Sequence, residues 1–121
     1  MEAAGKPVNP ARELSRAIAV RTEHFATEQA VRDLRLAITL NRTTEIAARA
    51  STAIASVEHL ATLTTALPGD YTAARLLGVV RQGQDAFDRA CRQHDTDSVT
   101  WCGELVGDAV MNYALYLASL P

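Results

Sequence analysis

Residues 98–120 read SVTWCGELVGDAVMNYALYLASL, and this stretch decides the fold. At helical spacing Val99, Cys102, Leu105, Val106, Ala109, Tyr113, Tyr116, Leu117 and Leu120 form one broad apolar face. The polar sector is confined to Glu104, Asp108, Asn112 and Ser119; Trp101 and Leu115 fall inside it, and Met111 sits beside it. A helix apolar over well more than half its circumference is either central in its own domain or covered by a second chain. Glu104, Asp108 and Asn112 argue against a bilayer span, and nowhere do ~18 uncharged apolar residues run together.

Upstream, the periodicity predicts three more helices. Tyr71 to Arg92 places Ala73, Leu76, Leu77, Val80, Phe87 and Cys91 on a core side, with Asp70 as cap. Gly78 and Gly83 inside it each cost about 1 kcal/mol relative to Ala, which suggests that another backbone comes close. Gln93 to Ser98 reads as a polar connection, with Asp97 or Ser98 capping the last helix.

A second helix opens at Glu45 and runs to Leu67, with Ile46, Ala50, Ala53, Val57, Leu60, Ala61 and Thr64 on one face and Pro68-Gly69 as its stop. Its back, with Ala48, Thr52, Ala55, Thr62 and Ala66, is flat and weakly polar. The first helix starts at Pro10 with Asn9 as cap and extends to about Leu40. It carries two stripes, Leu14, Ile18 and Phe25 on one side and Val20, Thr27, Val31, Leu34 and Ile38 on the other. Such a helix either touches neighbours on two sides or breaks near Thr27. The fold class is therefore all-α, an antiparallel bundle of about four helices, with residues 1–9 a mobile tail and 10–121 one domain.

The bulk numbers exclude several classes. The 121 residues are 48% hydrophobic, enough for one core without staples. Twelve basic residues against fourteen acidic ones give a net charge of -2, so a general nucleic-acid binder is not indicated. Two cysteines make no disulfide framework and the N-terminus has no secretory apolar run, which favours a cytoplasmic location. Cys91 with His94 supplies only two of the ligands a zinc site needs, and His24 on the Val20 to Ile38 stripe of the first helix reads as a hydrogen-bonded interface histidine. No cofactor or metal is expected.

Three motifs carry functional candidates. Gly103 and Gly107 form Gly-x-x-x-Gly, a spacing that lets two helices approach closely, within the bundle or at a dimer seam. Arg89 and His94 make Arg-x4-His, which resembles the motif of the HEPN ribonucleases, all-helical domains that cleave RNA with an Arg and a His. The resemblance implies that Arg89 stabilises a phosphorane and His94 moves protons. On one continuous helix the two side chains point about 140° apart, so they need a helix end or a partner chain to converge. Residues 103–118 resemble the last helix of the all-α NTP pyrophosphohydrolases of the MazG type. That resemblance implies Mg²⁺ held by Glu104 and Asp108 with carboxylates from a second helix. Here Glu104 and Asp108 are four apart rather than three, and the partner Glu-x-x-Glu is absent, Glu23 and Glu28 being five apart.

The sequence favours a small non-catalytic bundle acting through protein–protein association, with self-association through Trp101, Gly103, Gly107, Met111 and Leu115. A different protein partner, or a small ligand between helices, fits the same pattern. The two enzyme families are the alternatives.

Overall fold

The computed structural model describes residues 9–64 and 69–120. The expected tail over residues 1–8, the continuation of the second helix through Ala66 and Leu67, and Pro68 as its stop lie outside the described residues. Gly69, with φ 84°, is the described half of that stop signal.

The described chain forms four helices, α1 (Pro10–Thr39), α2 (Thr43–Leu63), α3 (Tyr71–Arg92) and α4 (Thr96–Ala118). Local chemistry explains their ends. Asn9 accepts from the backbone N–H of Ala11 and Arg12, and Asp70 from that of Ala73, satisfying donors a helix start leaves open. The cap of α4 is Asp95, not Asp97 or Ser98. Its carboxylate takes both the backbone N–H and the hydroxyl of Ser98, so the helix starts at Thr96 and the connection is shorter than expected. Two helix ends close alike. Asn41 (φ 57°) and His94 (φ 54°) adopt the left-handed conformation just past α1 and α3. Arg42 N–H then reaches Ala37 O and Asp95 N–H reaches Ala90 O, the six-to-one bond of a Schellman turn.

α1 does not break at Thr27. The residue is fully buried, its hydroxyl lying 2.9 Å from the Glu23 carbonyl on the preceding turn and 2.7 Å from Ser56 Oγ on α2. A β-branched polar residue is tolerated mid-helix because its oxygen is satisfied at once by its own helix and by its neighbour. Nor, among the described residues, is its second stripe covered: α1 packs on α2 and α4 through one stripe only. Thr27, Ala30, Val31, Leu34 and Ala37 are buried, while Leu14, Ile18 and Phe25 are 63%, 57% and 62% exposed.

α4 is the central element, packing against all three others, whereas α3 packs chiefly on α4. The register follows from named contacts. Arg16 meets Leu63, Glu23 meets Ser56 and Arg49 meets Asp33, so α1 and α2 run antiparallel. A Cβ on Gly103 would meet Ile38 and Ile46, and one on Gly107 would meet Leu34 and Val31, so α4 is antiparallel to α1. Asp70 meets Tyr116 and Gly83 lies against Val106, which sets α3 antiparallel to α4. The core is largely aliphatic, with Leu34, Ile46, Val57, Leu60, Val80, Val106, Val110 and Leu117 essentially inaccessible to solvent. Leu105, expected on the core face, is 40% exposed, and Leu76, Leu77, Cys91 and Tyr116 are only half-buried. With one main neighbour, α3 covers less of its apolar face than a square bundle would. Of its two glycines only Gly83 has a close neighbour; nothing lies within 4 Å of a Cβ on Gly78.

Candidate functional site

The five association candidates separate by burial. Gly103 and Gly107 are buried inside the chain's own bundle, where the missing side chains let α4 settle onto α1 and the start of α2. Met111 is half-buried. Trp101 and Leu115 are 63% and 56% exposed and share an outward ridge with Leu105, Glu104, Asp108 and Asn112. The glycine motif thus serves an internal crossing, and the exposed apolar surface of α4 is narrower than its sequence suggests.

The structure leaves both enzyme constellations on the surface. Arg89 and His94 are exposed, and among the described residues neither has a side-chain hydrogen bond or ion pair. His94 sits past the helix end, in the left-handed position of the Schellman turn, a backbone role that explains its place without chemistry. Glu104 and Asp108 face solvent. Asp108 Oδ1 pairs with Arg35 across the α1–α4 groove at 3.1 Å. Among the described residues no three His, Cys, Asp or Glu side chains stand together as metal ligands, so the facing carboxylates implied by the pyrophosphohydrolase resemblance are not assembled. Cys91 and Cys102 are free thiols, and burial, helped by nearby Asp88 and Cys102, pushes the Cys91 thiol up, away from the thiolate a zinc site or nucleophile needs.

Two features are legible only in three dimensions. The first is a polar chain across the α1–α2 seam. Ser56 Oγ donates to Glu23 Oε2 at 2.7 Å, and His59 Nδ1 lies 2.7 Å from Glu23 Oε1. The 2.7 Å contact between the Thr27 and Ser56 hydroxyls, in which either oxygen can donate, joins this chain to the Glu23 carbonyl that Thr27 also reaches. The Ser56 hydrogen bond first, then His59, holds the Glu23 carboxyl below its ordinary value against the opposing effect of burial. A carboxylate placed between a serine and a histidine does not make a nucleophile of either; it ties two helices together.

The second is a cleft of about 600 Å³ where the N-terminal half of α1 runs beside the C-terminal ends of α2 and α4. Val20, Leu63, Leu117 and Leu120 supply apolar wall, and Glu13, Arg16, Arg21, His24 and Thr64 the polar part. Arg16 Nε donates to the Leu63 carbonyl at 3.0 Å, satisfying one orphan acceptor at the described end of α2. His24 Nδ1 contacts Glu28 at 2.9 Å, and its Nε2 is the single buried side-chain polar atom without a partner among the described residues. Sequence patterning flagged His24 on the Val20 to Ile38 stripe, but not the cleft it lines.

No family model, no curated protein and no solved structure matches this chain.

Proposed function

We propose that this protein is a non-catalytic helical-bundle module that acts by association, principally with copies of itself. One observation carries this reading: Leu14, Ile18 and Phe25, with Leu36 further along, form an exposed apolar stripe on the side of α1 opposite its core stripe. Large apolar side chains scattered singly are ordinary, but a row at helical spacing along one ridge marks a surface that a partner covers. The exposed Trp101, Leu105 and Leu115 on α4 extend the same pattern. No helix among the described residues is long and apolar enough to cross a membrane. Two free thiols fit a reducing, cytoplasmic setting. Light scattering across a concentration series tests the reading. A mass rising to twice the 13.0 kDa of one chain is expected, and a strict monomer at millimolar concentration overturns it.

The cleft favours a second reading, in which a small ligand sits between helices. Its volume lies within the usual ligand range of roughly 300–1,000 Å³, and it joins apolar wall to the guanidinium groups of Arg16 and Arg21. Decanoate, which pairs a carboxylate with an apolar chain, is the simplest probe. Amide shifts confined to the cleft, weakened by Arg21→Gln, are expected of a site; shifts spread over the surface reject it.

A further inference from the structure

We infer that the partner of the α1 stripe is the same stripe on a second copy, running antiparallel, with Phe25 on the two-fold axis. This rests on the association reading above and adds the seam and its register.

The spacing of the stripe is self-complementary. Leu14 and Leu36 stand eleven residues to either side of Phe25, and Ile18 and Arg32 seven to either side. At 100° per residue all five fall within about 40° of one another, on a line opposite buried Thr27 and Leu34. When two antiparallel copies of such a helix meet at Phe25, each Leu14 lies level with the partner helix's Leu36, and Phe25 meets its own copy. Each Ile18 lies level with an Arg32 whose aliphatic stem can cover it. A closed two-fold interface must use one patch twice, with every contact repeated in reverse, and this palindrome meets that demand.

Charge agrees with the same register. In an antiparallel pair related by a two-fold axis, each flank of one helix runs beside the same flank of the other. Arg21 and Glu28 lie on one flank of the stripe, four residues before and three after Phe25. Arg21 of one copy therefore sits within about one residue's rise of the partner copy's Glu28, and the pair occurs twice. A parallel alignment instead sets each flank beside the partner copy's opposite flank, so the two Arg21–Glu28 pairs are lost. Geometry allows the approach, because the stripe from Leu14 to Leu36 is exposed and spans about 33 Å of helix.

Cysteine cross-linking reads the register directly. Phe25→Cys is expected to form a covalent dimer on mild oxidation. Leu14→Cys alone is expected not to, whereas Leu14→Cys combined with Leu36→Cys links two chains. Cys91 and Cys102, half-buried and buried, are present in every variant and in the unsubstituted control. Phe25→Glu sets two carboxylates face to face on the axis and is expected to weaken the dimer at least about 100-fold by light scattering. Its far-UV circular dichroism should match the parent protein, since position 25 is exposed. Leu14→Cys linking efficiently by itself, or Phe25→Glu leaving the dimer intact, overturns the α1 seam. If the unsubstituted protein is a dimer that Trp101→Glu dissociates and Phe25→Glu does not, association stands and this seam falls. A monomer at millimolar concentration removes both.

Discussion

Replacing Gly103 by Ala adds one methyl group at the point where α4 crosses onto α1 and the start of α2. A Cβ built there lies 3.0 Å from Ile46 Cγ2 and 3.3 Å from Ile38 Cδ1. The Ile38 atom is the end of a side chain that can turn. The Ile46 atom is not: it is set by the χ1 angle of a β-branched residue in a helix, and Ile46 is fully buried. Overpacking of this kind costs about 1–3 kcal/mol, and removing a mid-helix glycine returns about 1 kcal/mol. The net expectation for Gly103→Ala is a loss of about 1 kcal/mol. Gly107→Ala, one turn on, places its Cβ 3.5 Å from Leu34 Cδ2, an ordinary contact, and should gain about 1 kcal/mol. Gly78→Ala meets nothing within 4 Å and should gain about the same. In urea, with a slope of about 2 kcal/mol per M, the Gly103→Ala and Gly107→Ala midpoints should differ by about 1 M. All variants are measured at one protein concentration, because a dimer's stability depends on it. Equal midpoints for Gly103→Ala and Gly107→Ala would falsify the claim that α4 is seated against Ile46.

His94→Gly should raise stability by about 0.5–1 kcal/mol in the same assay, because Gly adopts the left-handed turn position without the Cβ conflict; a marked loss would point to an unrecognised side-chain role. Glu23, Asp70 and Asp95 are all held below their ordinary carboxyl values, Glu23 chiefly by Ser56, Asp70 by Tyr116 and Asp95 by Ser98. A lowered folded value means that the stability these groups carry is complete above pH about 4.5 and is lost as the pH falls through the lowered values. Ser56→Ala should therefore cost about 1 kcal/mol at pH 7 and show a shallower fall in melting temperature between pH 5 and pH 2 than the parent, as thermal melts would reveal. Alkylation at pH 8 should modify Cys91 more slowly than a free thiol, because burial raises it, and buried Cys102 more slowly still; mass spectrometry of timed samples distinguishes the two.

Four helices, two of their caps and most of the buried face of α2 were legible in the sequence, because capping and helical periodicity act within about four residues. Asn9, Pro10 and Asp70 announce their helix starts through local hydrogen bonding, and Ile46, Ala50, Ala53, Val57 and Leu60 recur with the helical period. Asp95 was missed because Asp95, Asp97 and Ser98 all offer capping oxygens, and the choice turned on which one the chain leaving α3 brings into reach. Both stripes of α1 were also visible, and periodicity alone could not say that one of them stays uncovered.

The sequence by itself determined that the chain is helical, where its helices turn and which residues are apolar enough to need cover. Only the tertiary structure decided which cover each receives. Gly103 and Gly107 were consistent with a dimer seam until α1 and Ile46 were found against them. Trp101 and Leu115 remain outside because α4 spends the rest of its circumference on three neighbours. Glu23 and Ser56 stand 33 residues apart, and the cleft wall is drawn from three helices. Such juxtapositions depend on how helices cross, which is fixed by the summed packing of many side chains and not by any run of sequence.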